Sequence, residues 1–219
     1  METPLTASEL EEIGLVAIVR TPLMTDFTAI AEALANGGFR AMEITLNTPG
    51  ALDAISAIRR MGIVGLRVGA GTILDSADAL GAIDAGAEFI VTPTLQPETI
   101  EVCRNAAVPI YCGTLTPTEA LTAHRAGADF IKVFPAQTFG PGYIRAMLAP
   151  LPFLKIVPTG GVTLENMKSW FEAGCVGVAI GSALVGKQVL LDRDWDGLSH
   201  TARQFVRVHA GLRPHAHGE

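Results

Sequence analysis

A chain of 219 residues is the length of one domain with one core, and 49% hydrophobic with 17% charged residues is the composition of a compact globular protein. The formal net charge of −6 excludes a broad basic surface for nucleic acid, because that affinity rests on Lys and Arg neutralising phosphates. No apolar run approaches the roughly 20 residues of a membrane-spanning helix, so a membrane partner is also excluded.

In chain order, Met1 to Glu12 carries Glu2, Glu9, Glu11 and Glu12 and no basic residue. It is therefore predicted to be a short amphipathic helix within residues 1–14 rather than a secretory signal. The three cysteines, Cys103, Cys112 and Cys175, form no C-x-x-C pair and are expected as reduced core thiols, so the expected location is the cytoplasm.

From there a single alternation runs to the end. Short apolar or β-branched runs predict strands at Leu15 to Arg20, Ala41 to Asn47, Arg67 to Ile73, Phe89 to Thr94, Val108 to Gly113, Phe130 to Pro135, Lys155 to Gly160 and Gly177 to Gly181. One helix is predicted after each, starting near Asp26, Pro49, Asp75, Pro97, Pro117, Pro141, Thr163 and Asp194. The phrases Asn36-Gly37-Gly38-Phe39, Asp84-Ala85-Gly86-Ala87, Arg125-Ala126-Gly127-Ala128 and Glu172-Ala173-Gly174-Cys175 each close a helix on glycine and drop into the next strand. Eight such units without a dinucleotide fingerprint predict an α/β protein, a single-domain (β/α)8 TIM barrel spanning residues 1–219 with a flexible tail at 212–219.

Barrel chemistry sits at the C-terminal ends of the strands, so polar residues there are the candidates. Lys132 stands mid-strand in Phe130-Ile131-Lys132-Val133-Phe134, sharing one face with Phe130 and Phe134. A lysine in that setting either pairs with a carboxylate or gives up its proton, and a neutral amine attacks a ketone to form an iminium. The other three lysines have ordinary exposed readings: Lys155 opens a strand, Lys168 lies on a helix and Lys187 lies in a loop. In the second strand Met42, Ile44 and Leu46 are predicted to face the helices, and Glu43, Thr45 and Asn47 the barrel interior. Glu43 is either a salt-bridge partner that fills the barrel or a carrier of the protons that iminium chemistry moves.

Pro158-Thr159-Gly160-Gly161-Val162 and Ile180-Gly181-Ser182-Ala183 end the seventh and eighth strands, where backbone N–H groups can approach a phosphate. Arg20 is either an anion ligand or a solvated strand-end residue; Thr72, in Gly69-Ala70-Gly71-Thr72, offers a hydroxyl to a carboxylate. His124, His200 and His209 lie on helices and His215 and His217 in the tail, so no metal site is expected and no cofactor is called for.

The motifs Val16-Ala17-Ile18-Val19-Arg20, Glu43-Ile44-Thr45-Leu46, Gly69-Ala70-Gly71-Thr72, Ile90-Val91-Thr92-Pro93, Lys132-Val133-Phe134-Pro135-Ala136, Pro158-Thr159-Gly160-Gly161-Val162 and Gly181-Ser182-Ala183-Leu184 occur in this order over residues 15–186. Together they resemble the 2-keto-3-deoxy-6-phosphogluconate (KDPG) aldolases, which include 4-hydroxy-2-oxoglutarate aldolase activity, and the related 2-keto-3-deoxy-6-phosphogalactonate aldolases. The resemblance implies a homotrimeric class I aldolase that splits a phosphorylated 2-keto-3-deoxy sugar acid into pyruvate and glyceraldehyde 3-phosphate. It further implies Lys132 as the Schiff-base lysine and Glu43 as the proton shuttle. Thr72 and Arg20 would lie at the carboxylate end, Phe134 and Pro93 around the pyruvyl group, and Gly160, Gly161 and Ser182 at the phosphate. Asn47 replaces the arginine of many gluconate-type members and follows the galactonate pattern, whereas Thr159 follows the gluconate one. A phosphate-binding barrel isomerase or epimerase is the alternative of a different class, since the glycine loops alone would serve it equally.

Overall fold

The computed structural model describes residues 4–212. Eight strands, Leu15–Val19 (β1), Ala41–Thr45 (β2), Arg67–Gly71 (β3), Ile90–Val91 (β4), Ile110–Thr114 (β5), Phe130–Val133 (β6), Ile156–Pro158 (β7) and Val178–Ile180 (β8), form one parallel sheet ordered as in the sequence from β1 to β7. Pairing of β1 with β8 (Leu15 with Val178, Ala17 with Ile180) curls the sheet round. Between β7 and β8 the seam is thin, a Thr159–Ala179 bridge and a 3.1 Å bond from Val176 N to Ile156 O. The result is the expected (β/α)8 barrel, nearly closed.

The helices are Ala7–Ile13 (α1), Phe27–Asn36 (α2), Ala51–Met61 (α3), Ser76–Asp84 (α4), Pro97–Asn105 (α5), Pro117–Ala126 (α6), Gly140–Leu148 (α7), Met167–Glu172 (α8), Lys187–Asp192 (α9) and Trp195–Leu212 (α10). Local chemistry starts several of them. Asp26 and Asp75 accept the N–H of Ala29 and Asp78 at 3.0 and 2.8 Å, and Thr116 and Glu119 form a reciprocal capping box. The helix-closing glycines Gly38, Gly86, Gly127 and Gly174 have φ of 90, 96, 99 and 100°, a left-handed conformation in which a side chain would be strained.

Several expected bounds are corrected. β4 and β7 are shorter than read, β6 stops at Val133, and β3 stops at Gly71, where the next residue, Thr72, takes a left-handed conformation (φ 56°). β5 starts at Ile110 rather than Val108 and runs to Thr114. The helix expected near Thr163 begins at Met167, after a turn in which Thr163 N donates to Asn166 Oδ1 at 2.9 Å. One helix per strand also fails: the short 3-10 helix Ala136–Thr138 precedes α7, and α9 precedes α10. Lys187, expected in a loop, is the first residue of α9. Leu212, placed with the tail, ends α10, while the remainder of the tail, including His215 and His217, lies outside the described residues.

Two apolar layers hold the barrel. The larger lies between strands and helices and contains Met42, Ile44, Val68, Ile131 and Ile156. The smaller fills the lower barrel with Val16, Phe89, Tyr111, Phe130 and Val157, the Tyr111 ring stacked on Phe130 at 4.4 Å and edge-on to Phe89 at 5.8 Å. Gly69 admits the Phe89 ring, which a β-carbon there would strike. Helix α1 closes this end. It adds Leu10 and Ile13 to the layer, each burial contributing about 1.5–3 kcal/mol, and Glu9 pairs with Arg67 at 2.8 Å. With the bottom plugged by aromatics, only the upper half of the interior is left for polar groups.

Candidate active site

The C-terminal ends of the strands open on a cavity of about 740 Å³, and all eleven residues singled out in the sequence line it: Arg20, Glu43, Asn47, Thr72, Pro93, Lys132, Phe134, Thr159, Gly160, Gly161 and Ser182. Strand alternation explains the floor. Glu43 and Thr45 of β2 and Lys132 of β6 point inward and are buried, while Met42, Ile44 and Ile131 point to the helices. Arg20, Asn47, Gly161 and Ser182 lie at the exposed rim.

Lys132 is 7% exposed and Glu43 2%. Burial lowers the Lys132 pKa from the ordinary 10.5; the Glu43 charge opposes that shift and the Arg20 charge adds to it. Burial likewise raises the Glu43 pKa above the ordinary carboxylate value of 4.5, with the positive charges of Lys132 and Arg20 offsetting part of the rise. Both shifts move toward neutral groups, an amine able to attack and a carboxyl able to give a proton. The Lys132 ammonium also lies 5.4 Å from the Phe134 ring centroid, within cation–π range.

Glycine makes room for this pair. A β-carbon on Gly71 would lie 2.7 Å from Glu43 Oε1. Gly71→Ala is therefore expected to displace the carboxylate, lowering kcat about 10- to 100-fold while leaving the thermal unfolding midpoint nearly unchanged. Steady-state kinetics beside a melting curve check it, and equal loss of both would show that the contact matters to packing alone.

The walls are braced from behind. Thr48 Oγ1 lies 3.1 Å from Thr45 Oγ1 and accepts the N–H of Thr21 at 3.2 Å, tying the β1–α2 loop to β2. Thr92, a strand-end polar residue in the sequence, turns out to be a brace as well. Its hydroxyl donates to Thr94 O at 2.7 Å and accepts the N–H of Gly113 at 2.9 Å. Thr72 lines the cavity in a left-handed conformation, a strain of about 1–3 kcal/mol of the kind that persists where surroundings dictate it. Thr159 is 4% exposed, and its hydroxyl has no hydrogen-bond partner. Thr159 thus brings a hydroxyl, able to donate and to accept, to the cavity wall.

Gly160 and Gly161 have φ of 94 and 70°, and β-carbons on them would strike Gln137. The sequence reading missed Gln137, which lies in the 3-10 helix and covers one side of this loop. Lys187, Thr163 and Leu190 also line the cavity unannounced. Six residues of α9 are too few for a 3.6-residue period to show, so pattern alone had little to find there. His124 and His209 pack beside Phe153 and Phe171, at 4.8 and 5.1 Å between ring centroids. Cys103, Cys112 and Cys175 are free and buried, and burial pushes the Cys103 and Cys175 thiols up to about 12, far from reactive thiolates.

A buried amine beside a buried carboxyl, under an open cavity at the C-terminal mouth of a parallel eight-stranded barrel, is the layout of a barrel enzyme working on a carbonyl substrate. Residues 6–201 match the family model of the KDPG and KHG aldolases. The 2-dehydro-3-deoxy-6-phosphogalactonate aldolase of Escherichia coli is 39% identical over 176 residues, 79% of this chain and 85% of that one. The 2-dehydro-3-deoxy-phosphogluconate aldolase of Pseudomonas aeruginosa is 33% identical over 207 residues, 93% of each. A solved structure described as native KDPGal superposes with a TM-score of 0.82 at 35% identity, over 90% of this chain and 95% of that one. The chain belongs to the KDPG and KHG aldolase family and is an aldehyde-lyase. Among the described residues no helix is long and apolar enough to cross a membrane.

Proposed function

We propose that the protein cleaves 2-dehydro-3-deoxy-6-phosphogluconate reversibly to pyruvate and glyceraldehyde 3-phosphate, with Lys132 as the Schiff-base amine, and accepts 4-hydroxy-2-oxoglutarate as a further substrate. The observation that carries the reading is the shared burial of Lys132 and Glu43 beneath one cavity, with each pKa moved toward the neutral form. It acts in the cytoplasm, as a homotrimer.

The neutral Lys132 amine adds to the C2 ketone and Glu43 supplies the proton with which the carbinolamine oxygen leaves as water. The resulting iminium draws in the electrons of the C3–C4 bond as that bond breaks. The C4 hydroxyl gives up its proton to the Glu43 carboxylate and becomes the aldehyde. The enamine left on Lys132 takes that proton back from Glu43 at C3, and water then adds to the iminium and releases pyruvate and the free amine, returning a proton to Glu43. Arg20 and Thr72 hold the carboxylate, Pro93 and Phe134 enclose the pyruvyl carbons, and Gly160, Gly161 and Ser182 hold the phosphate.

The galactonate-derived epimer is the second reading. Asn47, on the rim beside β2, and the 39% identical galactonate-type relative support it. Thr159 before Gly160-Gly161, which follows the gluconate pattern, supports the gluconate type, and because the epimers differ at one hydroxyl a single hydrogen bond can separate them. A pyruvate-release assay on both phosphates and on 4-hydroxy-2-oxoglutarate decides between them. Borohydride reduction with pyruvate is expected to add the mass of the reduced adduct at Lys132; proton exchange on the substrate with neither a trapped adduct nor pyruvate release would return the protein to isomerase-type proton transfer.

A further inference from the structure

The cavity is more cationic than the chain that forms it. Against a chain net charge of −6, its lining carries Arg20, Lys132 and Lys187 and one carboxylate, Glu43. Lys187 is exposed, and among the described residues no carboxylate pairs with it. Its backbone is nevertheless held in place. Leu184 and Val185 both donate to Gly181 O at 2.9 Å, Leu190 donates to Gly186 O at 3.3 Å, and Val185 and Leu190 are buried beneath the turn.

With Lys132 and Glu43 both moved toward their neutral forms, the standing cations of the cavity wall are Arg20 and Lys187. The charges acting on Lys132 and Glu43 are those of each other and of Arg20, so Arg20 belongs to the reacting end. Lys187 stands on a different loop, after β8 and the turn that carries Gly181 and Ser182, as the first residue of α9. A substrate with a carboxylate next to its ketone and a phosphate at its other end matches this separation of charge, and an ammonium serves a phosphate as a mobile point charge.

We propose that Lys187 is a specificity-determining residue that pairs with the terminal phosphate and makes the enzyme prefer phosphorylated over unphosphorylated acids. The inference rests on the aldolase reading above. Being solvent-exposed, the pair is screened, and its effect is correspondingly modest.

The experiment compares wild type with Lys187→Gln and Lys187→Arg on the phosphorylated acid and on its dephosphorylated counterpart. The Gln variant is expected to lower the ratio of kcat/KM for the two substrates about 10-fold through KM, with a flatter dependence on salt, and the Arg variant to restore most of it. Equal effects on both substrates, or none on either, would overturn the proposal. Borohydride trapping with pyruvate runs alongside. If the wild type forms no adduct, the aldolase reading itself falls; if the adduct forms and the ratio does not move, only the role of Lys187 falls.

Discussion

A Lys132→Met protein is expected to lose turnover by roughly four orders of magnitude or more while unfolding at an equal or higher urea concentration than wild type. The two halves have one cause. Lys132 is buried with its ammonium desolvated, which favours the amine that attacks a ketone and disfavours the charged form that folding must bury. Methionine fills a similar volume without charge, and Glu43, whose own pKa is already raised by burial, can take up a proton once its positive neighbour is gone. The pH dependence separates this from simple repacking. Between the lowered folded pKa of Lys132 and its ordinary 10.5, the unfolded chain carries a proton that the folded one lacks, so wild-type stability rises with pH there. The variant should lack that rise. Urea midpoints across alkaline pH, read beside initial rates, check both; a loss above about 2 kcal/mol would make Lys132 a structural residue.

Glu43→Gln is expected to lower kcat by about 10²- to 10⁴-fold with the fold intact, because an amide of nearly the same shape cannot exchange the protons that the cycle moves. Slow borohydride trapping at Lys132 should survive in this variant, since the amine remains. The sign of its pH effect is opposite. Between 4.5 and the raised folded pKa of Glu43, the folded protein holds a proton that the unfolded chain releases, so wild-type stability falls as pH rises through that window. The variant should be flat across it. Unchanged turnover would assign Glu43 to barrel packing.

Most of the frame was legible because it is local. The helix-closing glycines Gly38, Gly86, Gly127 and Gly174 and the capped starts at Asp26, Asp75 and Thr116 need only near neighbours in the chain, and they divided the sequence at the right places. Alternation in β2 and β6 told which face Glu43 and Lys132 occupy, since a period of two depends on the backbone alone. The strand ends were read less well. Thr72, Gly160 and Gly161 follow their strands in a left-handed backbone conformation, which composition does not report.

By itself, then, the sequence determined the eight repeated units, their order, and an inward-facing amine and carboxyl on the second and sixth strands, because periodicity and capping are properties of contiguous residues. Only the tertiary structure decided what meets what. It brought Lys132 and Glu43, 89 positions apart (132 − 43), under one roof where burial shifts both pKa values; it made Gly71 the space that Glu43 occupies, left the Thr159 hydroxyl without a partner, and turned Lys187 from an ordinary surface residue into part of the cavity wall. Desolvation and close contact arise between residues far apart in the chain, and they come into being only when the barrel closes.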